Sequence, residues 1–321
     1  MSGEASILRG FRRQLGVSLG LIFVLLGLIV FFGLVTENFW SALTFRTIAN
    51  QIPDAVFLAV GMTYVLMIAG IDLSVGSVLG LCGAVLGLSM TRWGFHWVPA
   101  VLLCGLTGAV CGALNGWVTV RWSLPSFIVT LGMLEAARGG TYLVSQSRTA
   151  YIGSTIEHIA GASLFGLSAP IWVALFMVMV AQLVLSRTVF GRYMVAIGTN
   201  EEAVRLSGIN PRPIKIAVFV LSGCMAGLAA ISNVSRLGAA DPNAGGGFEL
   251  TAIAAVVIGG TSLMGGRGSV VSSLLGVLII AVLENGLAQM GAQEPTKRLV
   301  TGAVIVVAVI LDHYRNRMGR R

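Results

Sequence analysis

The feature that most constrains this chain is a succession of apolar runs, each about 20 residues long and separated from the next by a short polar segment. A helix of that length spans the hydrocarbon core of a bilayer, where backbone N–H and C=O groups find partners only within the helix. The first run is longer than the apolar part of a signal peptide, so we expect it to be retained. The sequence predicts ten membrane spans, at residues 17–35, 50–69, 73–91, 98–120, 125–144, 170–186, 214–235, 250–264, 269–289 and 298–312.

The composition argues against a water-soluble fold. Only 11% of the residues are charged, whereas soluble domains carry about 25%, and the mean hydropathy is +0.89. The chain also holds 42 glycines, which membrane helices tolerate because small residues let neighbouring helices approach closely. We therefore expect an all-α, polytopic transmembrane helical bundle that forms a single domain over residues 1–321.

The basic residues predict the side of the membrane on which each loop lies. With ten spans, fourteen Lys and Arg residues fall on the side of the two termini, six fall on the other side, and Arg138 lies inside a span. Because cytoplasmic loops are enriched in Lys and Arg, both termini are predicted to be cytoplasmic. This distribution accounts for the net charge of +8 without a nucleic-acid partner. The basic tail at 313–321 adds an attraction to anionic membrane lipid.

The chain lacks the sequence signatures of nucleotide and metal binding. A P-loop needs a lysine in the pattern G-x-x-x-x-G-K-[ST], and neither Lys215 nor Lys297 lies in one. The four cysteines lie in apolar runs, which predicts small core residues, and His96, His158 and His313 are far apart, which predicts surface positions. We expect no metal and no cofactor in this chain. If ATP drives its function, another subunit binds the ATP and Mg²⁺.

A few ionisable residues fall within or beside the predicted spans, where such residues are costly. Glu135 and Arg138, three residues apart in the fifth span, are predicted to form a structural pair, with a substrate contact as the alternative. Asp72 lies in AGIDLSVGS (69–77) and is predicted to cap a helix start rather than to bind an ion. That segment is slightly similar to GGTSLMGGRGS (259–269), and the sequence leaves open whether duplication or chance explains the similarity.

The stretch GTNEEAVRLSGINPRP predicts a short cytoplasmic helix of about two turns. Polar N-caps and acidic residues favour a helix start, an acid three or four positions before a base stabilises it, and glycine or proline ends it. The residues in these positions are Thr199 or Asn200 as N-cap, Glu201 and Glu202 in the first turn, Arg205, then Gly208, Pro211 and Pro213. So short a helix must pack on something, and its residues leave open whether that is its own bundle or a partner.

Four long blocks in this chain are similar to the ribose-type permeases of ATP-driven sugar importers. They are NQIPDAVFLAVGMTYVLMIAGIDLSVGS (50–77), PSFIVTLGMLEAARG (125–139), GRYMVAIGTNEEAVRLSGI (191–209) and DPNAGGGFELTAIAAVVIGGTSLMGGRGSV (241–270). The blocks occur in the order found in that family and extend over most of the chain. By this resemblance the chain is identified as a member of the family, and its blocks look closest to ribose permeases.

The resemblance implies a coupling role for the cytoplasmic loop at 187–213. In that family the matching loop holds a short helix that sits in a groove of the ATPase subunit. The residues to which the resemblance assigns this role are Asn200, Glu201, Glu202, Ala203, Arg205 and Gly208. The wider importer superfamily has an E-A-A…G pattern here. This chain keeps Glu202, Ala203 and Gly208, but Val204 replaces the second alanine, which puts the closeness of the docking in doubt.

The resemblance also implies a complete importer in the bacterial inner membrane. It has two membrane subunits around one central path, with a second copy of this chain as the expected partner, together with an ATP-binding subunit and a periplasmic sugar-binding protein. This chain would then not be an enzyme. Ribose is the first candidate sugar, and xylose, inositol or another simple sugar is the alternative.

A neutral sugar offers no charge to complement, so its path is expected to present hydroxyl and amide groups. The candidates for the translocation path are Asn50, Asn115, Thr130, Asn233 and Asn285, each of which could instead make a hydrogen bond between helices. A stand-alone ion-coupled transporter is the competing class of function. The charged segment at 200–205 and the lack of a recognisable proton relay argue against it.

Overall fold

The computed structural model describes the backbone of residues 2–318 apart from 154–155, 158–160 and 162. Its described side chains are those of residues 18–310 apart from 154–155, 158–160, 162–163, 305 and 308–309. His158, the side chain of His313 and the side chains of the basic tail lie outside the described residues, so the predictions on them stay predictions. His96 is exposed, as predicted.

The described chain is nearly all-helical, as expected. Its helices are α1 (Ser2–Val35), α2 (Ala42–Gln51), α3 (Pro53–Met67), α4 (Val75–Thr91), α5 (Trp97–Arg121), α6 (Ser126–Ser145), α7 (Ala169–Arg187), α8 (Val189–Leu206), α9 (Arg212–Leu237), α10 (Phe248–Ile258), α11 (Val270–Gln289) and α12 (Glu294–Met318). Four strands of two residues each add to them: β1 (Ala150–Tyr151), β2 (Ser163–Leu164), β3 (Leu167–Ser168) and β4 (Ala239–Ala240). The strands pair antiparallel, β1 with β4 and β2 with β3, which the sequence analysis did not anticipate.

The described helices overlap each of the ten predicted spans. Five of them, α1, α5, α7, α9 and α11, are long and apolar enough to cross a membrane, and α3, α4 and α10 are shorter apolar helices. Two of the predicted spans are not continuous helices. The second span is divided between α2 and α3, because Pro53 opens α3 and has no N–H to continue the bonding of α2. In the eighth predicted span, the helix ends at Ile258. Gly260 follows with a φ of +82°, which is outside helical geometry.

Helix α3 lies at the centre of the bundle. All of its residues except Ala55 are buried, and it contacts α7, α9, α10 and α11. A helix that is apolar on every side is typical of a core position. The central helix is thus covered by its neighbours over almost its whole surface.

Helices α5 and α9 approach closely through glycines. A Cβ at Gly108 would collide with the carbonyl group of Gly223, and one at Gly112 would collide with the carbonyl oxygen of Phe219. Glycines four residues apart lie on one face of a helix and allow backbones to pack without an intervening side chain. This contact therefore joins two of the long apolar helices backbone to backbone.

The side chain of Gln182 on α7 caps the start of α11. Its Oε1 accepts hydrogen bonds from the backbone N–H groups of Val270 (2.9 Å) and Val271 (3.3 Å) and from the hydroxyl of Ser269 (3.2 Å). The first N–H groups of a helix have no partner within it. One amide oxygen thus satisfies three donors and fixes α7 against α11.

We expect Gln182→Leu to lower the free energy of unfolding by about 1–3 kcal/mol, because it leaves these donors without an acceptor. Gln182→Glu keeps the oxygen atoms and places a negative charge at a helix N-terminus, so its loss should be smaller. The measurement is heat-induced exposure of the cysteines to a thiol-reactive dye. All four cysteines are free, and three of them, Cys82, Cys104 and Cys111, are buried. Equal stability of the two variants would contradict the capping role.

Candidate coupling site

The short helix predicted from the charged stretch is the second part of α8. The backbone of α8 leaves helical geometry at Asn200, with φ −161° and ψ 96°, and resumes it at Glu201. Asn200 Oδ1 accepts the N–H of Ala203 at 2.9 Å, whereas the hydroxyl of Thr199 donates to the carbonyl of Val195 at 2.7 Å. Asn200 is therefore the N-cap, and Thr199 belongs to the preceding helical part. The segment before the cap, predicted only as loop, is itself helical from Val189.

The short helix ends where the sequence predicted. Gly208 has a φ of +80°, a left-handed conformation that suits glycine at a helix C-terminus. Its N–H donates to the carbonyl of Arg205 at 3.0 Å, and the N–H of Ile209 donates to the carbonyl of Val204 at 3.3 Å. Helix α9 begins at Arg212, directly after Pro211. We call residues 200–209 the coupling segment.

The charges of the coupling segment form two ion pairs. Arg205 Nη2 lies 2.8 Å from Glu202 Oε1, and these side chains are 70% and 59% exposed. Lys215 Nζ, on α9, lies 2.9 Å from Glu201 Oε2. Of the two acid–base pairs that the sequence allowed, only the one spaced by three residues forms. The other acid instead fastens the segment to α9.

The coupling segment has one packed face and one open face. Val204 is 7% exposed and lies in the main hydrophobic core, against which Ile209 also packs. Leu206, by contrast, is 80% exposed and lies on the same short helix as the exposed Glu202 and Arg205. The helix therefore rests on its own bundle and still presents a leucine and an ion pair outward.

A close backbone contact holds the start of the segment. Gly198, buried at the end of the first part of α8, is so near the carbonyl of Met67 and the N–H of Gly266 that a Cβ would collide with both. The N–H of Gly266 also donates to the carbonyl of Met67 at 3.0 Å. Met67 ends α3 and Gly266 lies between α10 and α11. The coupling segment thus begins where the end of α3 meets the turn between α10 and α11.

Asp72 lies beside the start of α4, as predicted, but its carboxylate bonds the N-cap residue Ser74 rather than an N–H group within the helix. Its Oδ1 accepts the N–H of Ser74 at 3.0 Å and the Ser74 hydroxyl at 2.6 Å, immediately before α4. Its Oδ2 accepts the hydroxyl of Ser222 at 2.9 Å, and Asn115 Nδ2 donates to Ser74 Oγ at 2.9 Å. This buried network connects the α3–α4 break to α5 and α9.

A second buried carboxylate, Asp54, was not singled out by the sequence analysis. Asp54 is 1% exposed and accepts hydrogen bonds from three side chains of α9: Ser232, Asn233 (2.8 Å) and Arg236 (2.9 Å). The only signal in the sequence was an acid next to Pro53 inside an apolar run. Its partners lie far away in the chain, so the pattern could not reveal them.

All five candidates for the translocation path make hydrogen bonds within the protein. Their partners are the Ser168 N–H for Asn50, Ser74 for Asn115, Leu73 N–H and Ile71 C=O for Thr130, Asp54 for Asn233, and Gln51 and Ala281 C=O for Asn285. Asn115, Thr130 and Asn233 are buried. Their place in a path stays a prediction.

The predicted pair of Glu135 and Arg138 does not form. Among the described side chains, the ion pairs are those of Arg205, Lys215, Arg236 and Lys297 with acids other than Glu135. Spacing by three residues makes the two side chains neighbours on α6 but does not require their charged ends to meet. Glu135 is instead exposed on an open face of α6 that includes Gly132 and Ala136.

Known proteins show what the chain is similar to. Residues 44–309 match the family described as branched-chain amino acid transport system / permease component. The ribose import permease protein RbsC of Haemophilus influenzae is 39% identical over 294 residues, which is 89% of this chain and 90% of that protein. RbsC of Escherichia coli K12 is 39% identical over 301 residues (91% and 92%), and the fructose import permease protein FrcC of Rhizobium meliloti is 36% identical over 318 residues (96% and 88%).

No solved structure matches the chain. The family match covers most of the chain. The relatives align with the chain over most of their own length, and they too are described as permeases. The chain belongs to this family of transport-system permease components.

Proposed function

We propose that the chain is the membrane-spanning permease subunit of an ATP-driven sugar importer and that ribose is its first candidate sugar. Similar proteins are named as permeases for ribose, fructose, D-allose and L-arabinose. These are all neutral simple sugars, which supports a sugar path in this chain. Xylose, inositol or another simple sugar is the alternative substrate.

The open face of the coupling segment is the observation that carries this proposal. Leu206 is 80% exposed on a short helix beside Glu202 and Arg205. The opposite side of this helix packs on the bundle. An apolar side chain within a rim of charges suits a groove on a second protein. We propose that this protein is the ATP-binding subunit and that it holds the ATP and Mg²⁺.

The charge distribution supports a membrane orientation for this arrangement. With ten spans and both termini in the cytoplasm, Arg205, Arg212 and Lys215 lie on the cytoplasmic side, as expected for basic residues. The coupling segment then faces the compartment that contains ATP. The cell membrane that fits this topology is the bacterial inner membrane, where a periplasmic sugar-binding protein delivers the sugar on the opposite side.

The open face of α6 supports a second permease subunit. Apart from the backbone of α6 itself, no atom of the described residues lies within 4 Å of the Cβ positions of Gly132 and Gly139, and Glu135 and Ala136 are exposed beside them. A carboxylate facing lipid is costly, while small residues allow close helix packing. We propose that this face meets a second copy of the chain and borders the translocation path.

Cross-linking tests this arrangement. We expect Ala136→Cys to give a covalent dimer with a short bifunctional maleimide in membranes, because the residue lies on the proposed contact face. Phe23→Cys on α1 is the control, since Phe23 is 80% exposed and α1 packs on α11 rather than near α6. Cross-linking of Phe23→Cys but not of Ala136→Cys would contradict the proposed contact face.

The ATPase contact is tested by Glu202→Arg. Within the chain, the exposed pair of Glu202 with Arg205 contributes only about 0.3–0.5 kcal/mol, so the variant should fold. In a groove of the ATPase, losing one partner of a buried pair costs about 2–5 kcal/mol, which weakens association roughly tenfold to several thousandfold. We expect normal expression but loss of ATPase copurification or of sugar uptake coupled to ATP hydrolysis.

Glu294→Arg is the matched control for this experiment. Glu294 belongs to another ion pair spaced by three residues, with Lys297 at 3.6 Å, and its side chain is 69% exposed. Reversing its charge should leave ATPase binding intact. Wild-type association and uptake in Glu202→Arg would argue against a docked coupling segment. Uptake that persists without any ATPase subunit would favour the ion-coupled transporter.

A further inference from the structure

A cavity of about 500 Å³ lies beside the coupling segment. Its walls are the coupling segment, the C-terminal end of α5 with the following loop, and the start of α9. The function proposed above assigns no ligand to this cavity.

The charges of the cavity favour an anion. Arg205, Arg212 and Lys215 line it, against one acid, Glu201. Glu201 pairs with Lys215, and Arg205 pairs with Glu202 outside the cavity. Among the described side chains, Arg212 has no ion pair. One guanidinium group is therefore available to an anionic ligand.

A buried hydroxyl lies beside these charges. Thr119 is 4% exposed and lines the cavity, and its Oγ1 has no hydrogen-bond partner in the described part of the protein. Leaving a buried hydroxyl without a partner costs free energy, so a ligand oxygen that accepts this hydroxyl would gain a favourable hydrogen bond. Helix α9 begins at the same place but adds no free donor in its first two positions, because the N–H of Arg212 donates to Asn210 Oδ1 at 3.0 Å and Pro213 has no N–H. Its dipole still favours negative charge at this end.

The surroundings of the cavity indicate a membrane surface. Next to it at the end of α5, the rings of Trp117 and Trp122 lie 5.1 Å apart, and the Arg121 guanidinium lies 5.9 Å from the Trp122 ring. Both tryptophans are at least half exposed. Exposed tryptophans beside arginine are typical of the boundary between lipid tails and headgroups. Leu124, also exposed, lines the cavity itself and offers an apolar surface beside the charges.

We propose that this cavity binds a phosphate-bearing anion and that its occupant is the headgroup of an anionic phospholipid. Arg212 contacts the phosphate, and Thr119 donates its hydroxyl. Basic pockets between membrane helices on the cytoplasmic side are suited to such headgroups. Because Glu201, Arg205 and Gly208 also line the cavity, an occupant would contact the coupling segment directly.

The test uses the full chain in nanodiscs of phosphatidylcholine with or without phosphatidylglycerol. Native mass spectrometry measures the phosphatidylglycerol retained on the protein. We expect Arg212→Gln to reduce retention about fivefold to tenfold and Thr119→Val to reduce it about threefold to tenfold. Arg121→Gln removes a basic residue next to the cavity but not in its wall, so retention should be unchanged.

A second arm distinguishes a lipid headgroup from a free anion. Inorganic phosphate is added to the chain in phosphatidylcholine nanodiscs, and the heat-induced exposure of cysteines is followed. Stabilisation by phosphate that is lost in Arg212→Gln would keep the anion site but identify its occupant as a soluble anion. Lipid retention that depends on Arg212, without a phosphate effect, supports the headgroup.

The proposal is overturned if the wild type retains phosphatidylglycerol no better than Arg212→Gln does and phosphate has no effect. It is also overturned if no anion binds and Arg212→Gln loses only ATPase copurification, since the cavity would then receive an acidic side chain of the partner. Thr119→Val keeps the test decisive if Arg212→Gln misfolds. None of these measurements requires sugar uptake, so this proposal can fail without the proposed function failing.

Discussion

Replacing Gly198 by alanine is expected to destabilise the chain and abolish uptake. The added methyl group would collide with the carbonyl of Met67 and the N–H of Gly266, and backbone atoms cannot rotate out of the way as side chains can. Those two groups also form a hydrogen bond of 3.0 Å with each other. Overpacking a core costs about 1–3 kcal/mol, occasionally more, and we expect a value at the upper end.

The functional loss follows from the position of Gly198, two residues before the N-cap of the coupling segment. Separating α8 from the end of α3 and from the turn between α10 and α11 would displace the open face of the coupling segment, which we propose as the contact with the ATPase. Heat-induced exposure of the buried cysteines measures the stability, and uptake in membranes measures the function.

Gly27→Ala is the control for this prediction. Gly27 lies within α1, and apart from the backbone of that helix no atom of the described residues lies within 4 Å of its Cβ position. Alanine in a helix interior is about 0.5–1 kcal/mol more favourable than glycine, so this variant should be at least as stable as the wild type. If Gly198→Ala behaves like Gly27→Ala, the close contact does not matter for stability.

Asp54→Ala is the second substitution with a large expected effect. Asp54 is 1% exposed and accepts hydrogen bonds from Ser232, Asn233 and Arg236. Removing one partner of a buried ion pair costs about 3–5 kcal/mol. The Arg236 side chain is 31% exposed and keeps some hydration, so we expect about 3 kcal/mol. The same dye assay measures the loss.

A double variant separates the lost contact from the cost of the unpaired charge. Asp54→Leu with Arg236→Met removes both charges, and replacement of a buried pair by apolar residues is often neutral or stabilising. We expect the double variant to be more stable than Asp54→Leu alone, which a double-mutant cycle quantifies. Additive losses would show that Asp54 and Arg236 contribute independently.

The sequence by itself determined the features that depend only on residues close together in the chain. The position of each apolar helix follows from the length of its run, because a helix in lipid satisfies its own backbone. The short helix of the coupling segment follows from its cap, its acidic first turn and Gly208, all within about four residues of the bonds that they make. The position of Asp72 beside the start of α4 is local in the same sense. None of these features depends on how the bundle is packed.

Only the tertiary structure decided which side chains meet across the bundle. Asp54 and Arg236 are 182 positions apart. Glu201 pairs with Lys215 on α9, although Arg205 is nearer to it in sequence. The separation of Glu135 from Arg138 likewise depends on side-chain directions that helical spacing does not fix.

The reason is that lipid tails and the protein core are both apolar, so a membrane helix carries similar residues on its outer and inner faces. The sequence pattern therefore marks where the apolar helices are. The buried polar contacts, and the close glycine approaches at Gly198 and between α5 and α9, decide how the spans fit together.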